Sequence, residues 1–210
     1  MRIAVVTFEG FNEIDSFVAC HILNRVQVEG WKAEIACPSE TVASLNGVRV
    51  SAQRPLEFAN EADAVLFGSG RFTRQIVEDR STMSRLKLDP QHQLIGSQCS
   101  GALVLAKLGL LQALPVCTDL RTRPVLEEAG VRVLEQSFFA DGNVASAGGC
   151  LSSPYLATWV IWRLLGRDAA EAALNYVAPV GERAQYIAGV LGTVAPFVES
   201  RSKSGLRARS

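Results

Sequence analysis

Short apolar runs rich in β-branched residues alternate along this chain with stretches of helical period, and that alternation leaves few architectures open. "RIAVVTF" (2–8), "KAEIACP" (32–38), "ADAVLFGSG" (62–70) and "LIGS" (94–97) read as buried strands. Apolar residues at helical spacing run from Asp15 to Val28, again after Cys99, through "YLATWVIWRLLG" (155–166), and from Asp168 to Tyr176. "LPVCT" (114–118) and "VRVLE" (131–135) add strands on either side of a helix, "RPVLEEAG" (123–130), that ends at glycine. Asn46-Gly47 within residues 41–52 and Asp141-Gly142 within 138–148 mark two hairpins. Strands followed by helices predict a mainly parallel sheet covered on both faces, an α/β/α sandwich of flavodoxin-like type.

With 210 residues, 48% of them hydrophobic and 20% charged, the chain can bury one substantial core. One domain over residues 1–198 is expected, followed by a basic, flexible tail over 199–210. Its 21 Lys+Arg balance 21 Asp+Glu, so the charge carries no footprint for nucleic acid or an anionic membrane. The first apolar run meets Glu9 too early for a secretory signal, and "YLATWVIWRLLG" is short and broken by Arg163. A cytoplasmic location is therefore expected. Five scattered cysteines without a C-x-x-C pair argue against a disulfide framework or structural zinc and for reduced thiols; no metal or cofactor is expected.

In such a sheet, ligands bind beyond the carboxyl ends of the strands. Three turns leave that edge: "FEGFNEID" after the first strand, "FGSGRF" after the 62–67 strand, and "QCSG" after the 94–97 strand. Cys99, between strand and helix, reads either as a small core residue or as a nucleophile on a sharp turn whose following amides favour negative charge. As a nucleophile it would be the thiol that reagents and oxidants meet first. Asp15 either caps the first helix or reaches across to that thiol. Cys20, Cys37, Cys117 and Cys150 read as small buried residues, and Glu13 as a loop charge. Trp159 and Trp162, three apart, read as core or subunit interface. Cys20 and His21 are neighbours on a helix and diverge, so they are not read as metal ligands.

"QCSGALVLAKLGLL" resembles the nucleophile elbow of the ThiJ/PfpI superfamily, a branch of the class I glutamine amidotransferase-like fold, and is most similar to that of isonitrile hydratases and the sensor domains of related AraC-type regulators. "FEGFNEIDSFVACHIL" is similar to the first loop and helix of those proteins, and "ADGNVASAGGCLSSPYLAT" to their D-G-N hairpin and following helix. The resemblance spans roughly residues 1 to 180. It implies that Cys99 is the nucleophile, Asp15 its carboxyl partner, and the amides of Ser69 and Ser100 the oxyanion donors. Gly68, Asp119 and Cys150 would line the pocket. It also implies a small-molecule substrate and a homodimer. The chain departs from the pattern at Phe67-Gly68-Ser69-Gly70, where relatives carry P-G-G, and at "CTDL" (117–120), where Asp119 takes a histidine's place. The peptidase branch's histidine after the cysteine is here Ser100, and only His21 and His92 are available, so a Cys-His dyad has little support. The activity implied is addition of water to an isonitrile. Reactive-carbonyl chemistry and a non-enzymatic ligand- or redox-sensing domain are the alternatives.

Overall fold

A computed structural model of the protein describes residues 1–205, with side chains through Glu199. In chain order the elements are β1 (Arg2–Val6), α1 (Glu13–Leu23), β2 (Lys32–Cys37), β3 (Thr41–Ala43), β4 (Arg49–Ser51), β5 (Arg54–Pro55), β6 (Ala64–Phe67), α2 (Thr73–Glu78), α3 (Arg80–Met83), β7 (Leu94–Gln98) and α4 (Ala102–Lys107). They continue with β8 (Val116–Cys117), α5 (Arg123–Glu128), β9 (Val133–Leu134), β10 (Phe138–Asp141), β11 (Val144–Ala147), α6 (Ser153–Leu165), α7 (Arg167–Val177) and α8 (Arg183–Gly205). Seven strands form one sheet in the order β10-β11-β7-β6-β1-β2-β5, parallel throughout except for the antiparallel β10–β11 hairpin at one edge.

Both faces of the sheet are buried, and the two-residue period of a strand sorts its side chains between them. Ile3 and Val5 of β1 and Leu66 of β6 pack under α1, α6, α7 and α8. Ala4, Val6, Val65 and Phe67 pack on the other side, against α2, α4, α5 and the 3-10 turn Leu56–Glu61. This is the expected flavodoxin-like α/β/α sandwich. Trp159 and Trp162 lie in the first of these cores. Among the described residues, no helix is long and apolar enough to cross a membrane.

The structure departs from the sequence reading in four places. The first helix starts at Glu13 and stops at Leu23, not Val28, because the Asn24 side chain turns aside to pair with both the amide and the carbonyl of Ala33 in β2. Asn12 caps that helix, accepting from the Ile14 amide, so Asp15 is not the cap. The runs at 114–118 and 131–135 shrink to two-residue strands paired with each other outside the main sheet, tied to β11 where the Cys117 amide donates to Ser146 Oγ. Finally, α8 escaped the sequence reading, because Gly189, Gly192 and Pro196 interrupt its pattern. Ile187, Val190, Leu191 and Val194 nevertheless fall on one face and are buried. It extends through Gly205, and the rest of the basic tail, residues 206–210, lies outside the described residues.

The turn after β7 seats directly on the end of β6. A Cβ placed on Gly101 would stand 2.4 Å from the Phe67 carbonyl oxygen and 2.9 Å from that of Gly68, with backbone rather than flexible side chains to displace. Gly101→Ala is therefore expected to lower the unfolding free energy by about 1–3 kcal/mol. Gly189→Ala, in α8 with nothing within 4 Å, is expected to raise it by about 0.5–1 kcal/mol. Urea unfolding of the two variants beside the wild type measures both, and a neutral Gly101→Ala would contradict the packing described.

Candidate functional site

Because β1, β6 and β7 run parallel, the segments that follow them leave the sheet at one edge. The loop after β1 and the glycine loop after β6 are stitched together there: the Asn12 amide donates to the Ser69 carbonyl at 2.8 Å, and the Arg71 amide to the Gly10 carbonyl at 2.8 Å. Gly70 allows the approach, since a Cβ on it would meet the Gly10 carbonyl at 2.9 Å. From the third loop, Ser100 Oγ accepts from the Gly70 amide and pairs with Thr73 Oγ1.

Cys99 has a φ of +49°, in the left-handed region that β-carbon-bearing residues avoid. Such a conformation costs about 1–3 kcal/mol and persists only where its surroundings enforce it. Here they do: Thr118 Oγ1 donates to the Cys99 carbonyl at 2.8 Å on one side, and Gly101 rests on β6 on the other. The side chain is turned inward, leaving the residue 2% exposed.

Behind the thiol lies Asp15, also buried. Its Oδ2 accepts the Ser69 amide at 3.0 Å, and its Oδ1 accepts from Gln98 Nε2 at 3.2 Å. Gln98 Nε2 further reaches the Gly149 carbonyl at 3.0 Å and the Cys150 carbonyl at 2.7 Å, while its Oε1 accepts from Ser153 Oγ at 2.9 Å. One amide thus holds α1, the end of β7 and the turn before α6 in mutual register. Cys150 Sγ accepts from Asn12 Nδ2 at 3.1 Å, and the Cys150 thiol hydrogen-bonds to Asp15. A carboxylate oxygen of Asp15 and the sulfurs of Cys99 and Cys150 all lie within 4.8 Å of one another. That spacing and donor set could also hold a thiophilic metal ion.

Burial lifts the Asp15 carboxyl from an ordinary 3.8 to about 6, with the Asp119 charge adding to it and the hydrogen bonds from Ser69 and Cys150 opposing it. Burial also pushes the Cys99 thiol well up, reinforced by the Asp15, Cys150 and Asp119 charges. The favourable helix start expected from the sequence is outweighed, because α4 is only six residues long and the sulfur is desolvated. At neutral pH the pair rests as a protonated thiol beside a largely ionised carboxylate. Of the two thiols at the site, Cys99 is buried and Cys150 partly exposed.

A cavity of about 630 Å³ opens over the pair, lined by Cys99, Ser69, Ser100, Asp119 and Cys150 together with Asn12, Arg71, Arg74 and Arg121. Asp15 and Gly68 stand behind it: a Cβ on Gly68 would lie 3.3 Å from that of Asp15. The Ser69 amide, expected to serve an oxyanion, is engaged by Asp15. Asp119, at the histidine's place, accepts the amides of Arg121 and Thr122 and so shapes the turn into α5. Glu13 binds Ser44 and Asn46 of the β3–β4 hairpin, leaving Asp15 as the carboxylate beside the thiol. Neither His21 nor His92 lines the cavity. Gln98, Asn12, Thr118 and Ser153 were missed in the sequence. For Gln98 a signal existed: an amide ending an apolar strand must find buried partners.

Raising the Asp15 carboxyl to about 6 makes the folded state bind its proton more tightly than the unfolded chain. The stabilising share of this group is complete below about pH 4 and is lost as pH rises to about 6, a decline of about 3 kcal/mol. Asp15→Asn is expected to remove that decline, so the wild-type stability relative to the variant should fall between pH 4 and 6 and stay level above. Urea unfolding across this range measures it; parallel curves would mean that Asp15 is not desolvated.

The DJ-1/PfpI family pattern matches residues 1–161. An isonitrile hydratase of Pseudomonas putida is 25% identical over 131 residues, which are 62% of this chain and 58% of that protein's length. Among solved structures, Schizosaccharomyces pombe DJ-1 is similar with a TM-score of 0.73 and 16% identity over 85% of this chain and all of that one. A ThiJ/PfpI family protein from Pseudomonas syringae has a TM-score of 0.74 and 20% identity over 94% of this chain and 87% of its own. An AraC family transcriptional regulator from Pseudomonas putida has a TM-score of 0.68 and 19% identity over 84% and 99%. The family match runs from β1 into α6, taking in the parallel sheet and the strained elbow together, and the chain belongs to the DJ-1/PfpI family.

Proposed function

We propose that the protein is a cysteine-dependent enzyme of the isonitrile hydratase type, converting an isonitrile and water to an N-substituted formamide. The observation that carries this reading is a strained, buried Cys99 with a carboxylate as its proton partner and no imidazole in the cavity. An isonitrile suits such a pair because its terminal carbon is electrophilic and addition there expels no leaving group. The Cys99 proton passes to Asp15 as sulfur bonds to that carbon, and Asp15 then returns it to the carbon, leaving a thioimidate. Asp15 next takes a proton from water as the water oxygen adds and delivers it to nitrogen. Collapse of the adduct breaks the C–S bond, releases the formamide and restores the thiol. The Ser100 amide, at the start of the turn, is the donor for the developing oxygen charge. The likeness to the Pseudomonas putida enzyme supports the substrate class.

The cavity's charge bears on the rest of the substrate. Arg71, Arg74 and Arg121 line it, and among the described residues none of them pairs with a carboxylate. An isonitrile bearing a carboxylate would supply the counter-charge.

The assay is formamide formation from alkyl isonitriles with and without a carboxylate. Cys99→Ala is expected to lose roughly 10⁴-fold or more in kcat/KM, and Asp15→Asn roughly 10²- to 10⁴-fold. In the wild type kcat/KM should rise as pH passes about 6, where Asp15 ionises. Arg121→Ala should raise KM for the carboxylated substrate roughly 2- to 5-fold and leave the neutral one unchanged. Consumption of methylglyoxal with no formamide formed would replace this reading by reactive-carbonyl chemistry, and binding without turnover by ligand sensing.

A further inference from the structure

The chemistry just described uses one thiol, yet two stand at the site. Cys150 opens the 3-10 turn Cys150–Ser152 that leads into α6, and its sulfur lies within 4.8 Å of that of Cys99. The placement is enforced from several directions. Gln98, the residue before Cys99, grips the carbonyls of Gly149 and Cys150. Gly149 adopts a φ of +93°, and a Cβ on Gly148 would stand 2.7 Å from the Thr118 carbonyl. The two thiols also differ in access. Cys99 is 2% exposed, whereas Cys150 is partly exposed and holds an amide donor, Asn12 Nδ2, against its sulfur. Cys37 and Cys117 are buried elsewhere, with thiols pushed up to about 11 by desolvation.

We propose that Cys99 and Cys150 form a reversible dithiol–disulfide pair whose oxidant is a hydroperoxide, with Cys150 as the sulfur attacked first and Cys99 as the resolving thiol. The Cys150 thiol passes its proton by way of Asp15 to the departing oxygen as its sulfur attacks the other peroxide oxygen, forming S–O as O–O breaks. The departing oxygen leaves as water or an alcohol, and the sulfur is left as a sulfenic acid, oxidised by the two electrons the peroxide gains. Cys99 then attacks that sulfur, S–S forms as S–O breaks, and the hydroxide leaves as water with the Cys99 proton, relayed by Asp15. An external dithiol reverses the step by exchange, supplying the two electrons. Closure brings the sulfurs to about 2.05 Å, a movement taken up by side-chain rotation and by the partly exposed turn carrying Cys150. The disulfide withdraws the elbow sulfur from any substrate and bars its further oxidation to an acid that thiols do not reduce. The pairing stands on the geometry of two thiols and holds whether or not Cys99 acts on isonitriles.

The test is mass spectrometry of the reduced wild-type chain after stoichiometric hydrogen peroxide, quenched in acid. The expected product is lighter by about 2 Da, yields a cross-linked peptide joining Cys99 to Cys150, and returns to the starting mass with dithiothreitol. In Cys99→Ser, dimedone should label Cys150; in Cys150→Ser, oxidation of Cys99 should slow at least tenfold. Wild-type protein that gains oxygen at Cys99 while Cys150 remains open to alkylation would overturn the proposal, as would a disulfide joining any other pair. So would a Cys150→Ser variant whose Cys99 oxidises as fast as the wild-type pair. Because the readout is mass on the unmodified chain, it is independent of isonitrile turnover, which is assayed separately on reduced protein.

Discussion

The side chain of Gln98 is a neutral amide at the buried end of an apolar strand, and the arrangement of the site depends on how it is satisfied. Its Nε2 has two protons for three acceptors, on Asp15, Gly149 and Cys150, and its Oε1 takes the Ser153 hydroxyl. An amide left unpaired in that position would cost a few kcal/mol, so the three segments are drawn to it rather than placed independently. Because Gln98 immediately precedes Cys99, the register it sets is passed directly to the elbow. The strain at Cys99 is maintained by the Thr118 hydroxyl on its carbonyl and by the contact of Gly101 with the end of β6.

Electrostatics at the site follow from enclosure rather than from paired charges. Asp15, Cys99 and Cys150 are mutually close, and no cation stands among the causes acting on the two ionisable groups whose affinities are displaced. Each negative charge therefore raises the cost of the next, and the cluster holds at most one comfortably. At neutral pH the natural resting state is a protonated Cys99 thiol beside an ionised Asp15 carboxylate. Arginines are present, but they stand at the rim of the cavity, on the solvent side of the sulfurs. This division puts positive charge at the mouth of the cavity and leaves the buried sulfur with a carboxylate, not a cation, as its neighbour.

Much of the fold was legible because it rests on local periods. β1, β2, β6 and β7 announced themselves as short β-branched runs, and both hairpins by their turn residues; Gly47 and Gly142 indeed take positive φ. The features that were misread depend on partners distant in the chain. The first helix ends early because Asn24 prefers the backbone of Ala33, nine residues on. The two short strands after α4 pair with each other because the β11 edge of β7 was already taken. The helix α8 is amphipathic, but glycines and a proline mask its period until the α6 and β10 surfaces it covers are known.

At the site the sequence alone determined which residues could matter: a cysteine between strand and helix, a carboxylate early in the first helix, and glycines in the loops sharing their edge. Strand direction is enough for that, since parallel strands send their following loops to one side. What only the tertiary structure decided is how these groups act on one another. Whether Asp15 capped a helix or faced a thiol turned on Asn12 taking the cap, and whether the elbow favoured a thiolate turned on burial exceeding the pull of a short helix. Cys150 was a small buried residue by pattern and a pocket residue by resemblance; Gln98 and two glycines are what bring its sulfur beside that of Cys99. These outcomes are sums of desolvation and hydrogen bonding over contacts far apart in the chain, and a local pattern contains no record of those distances.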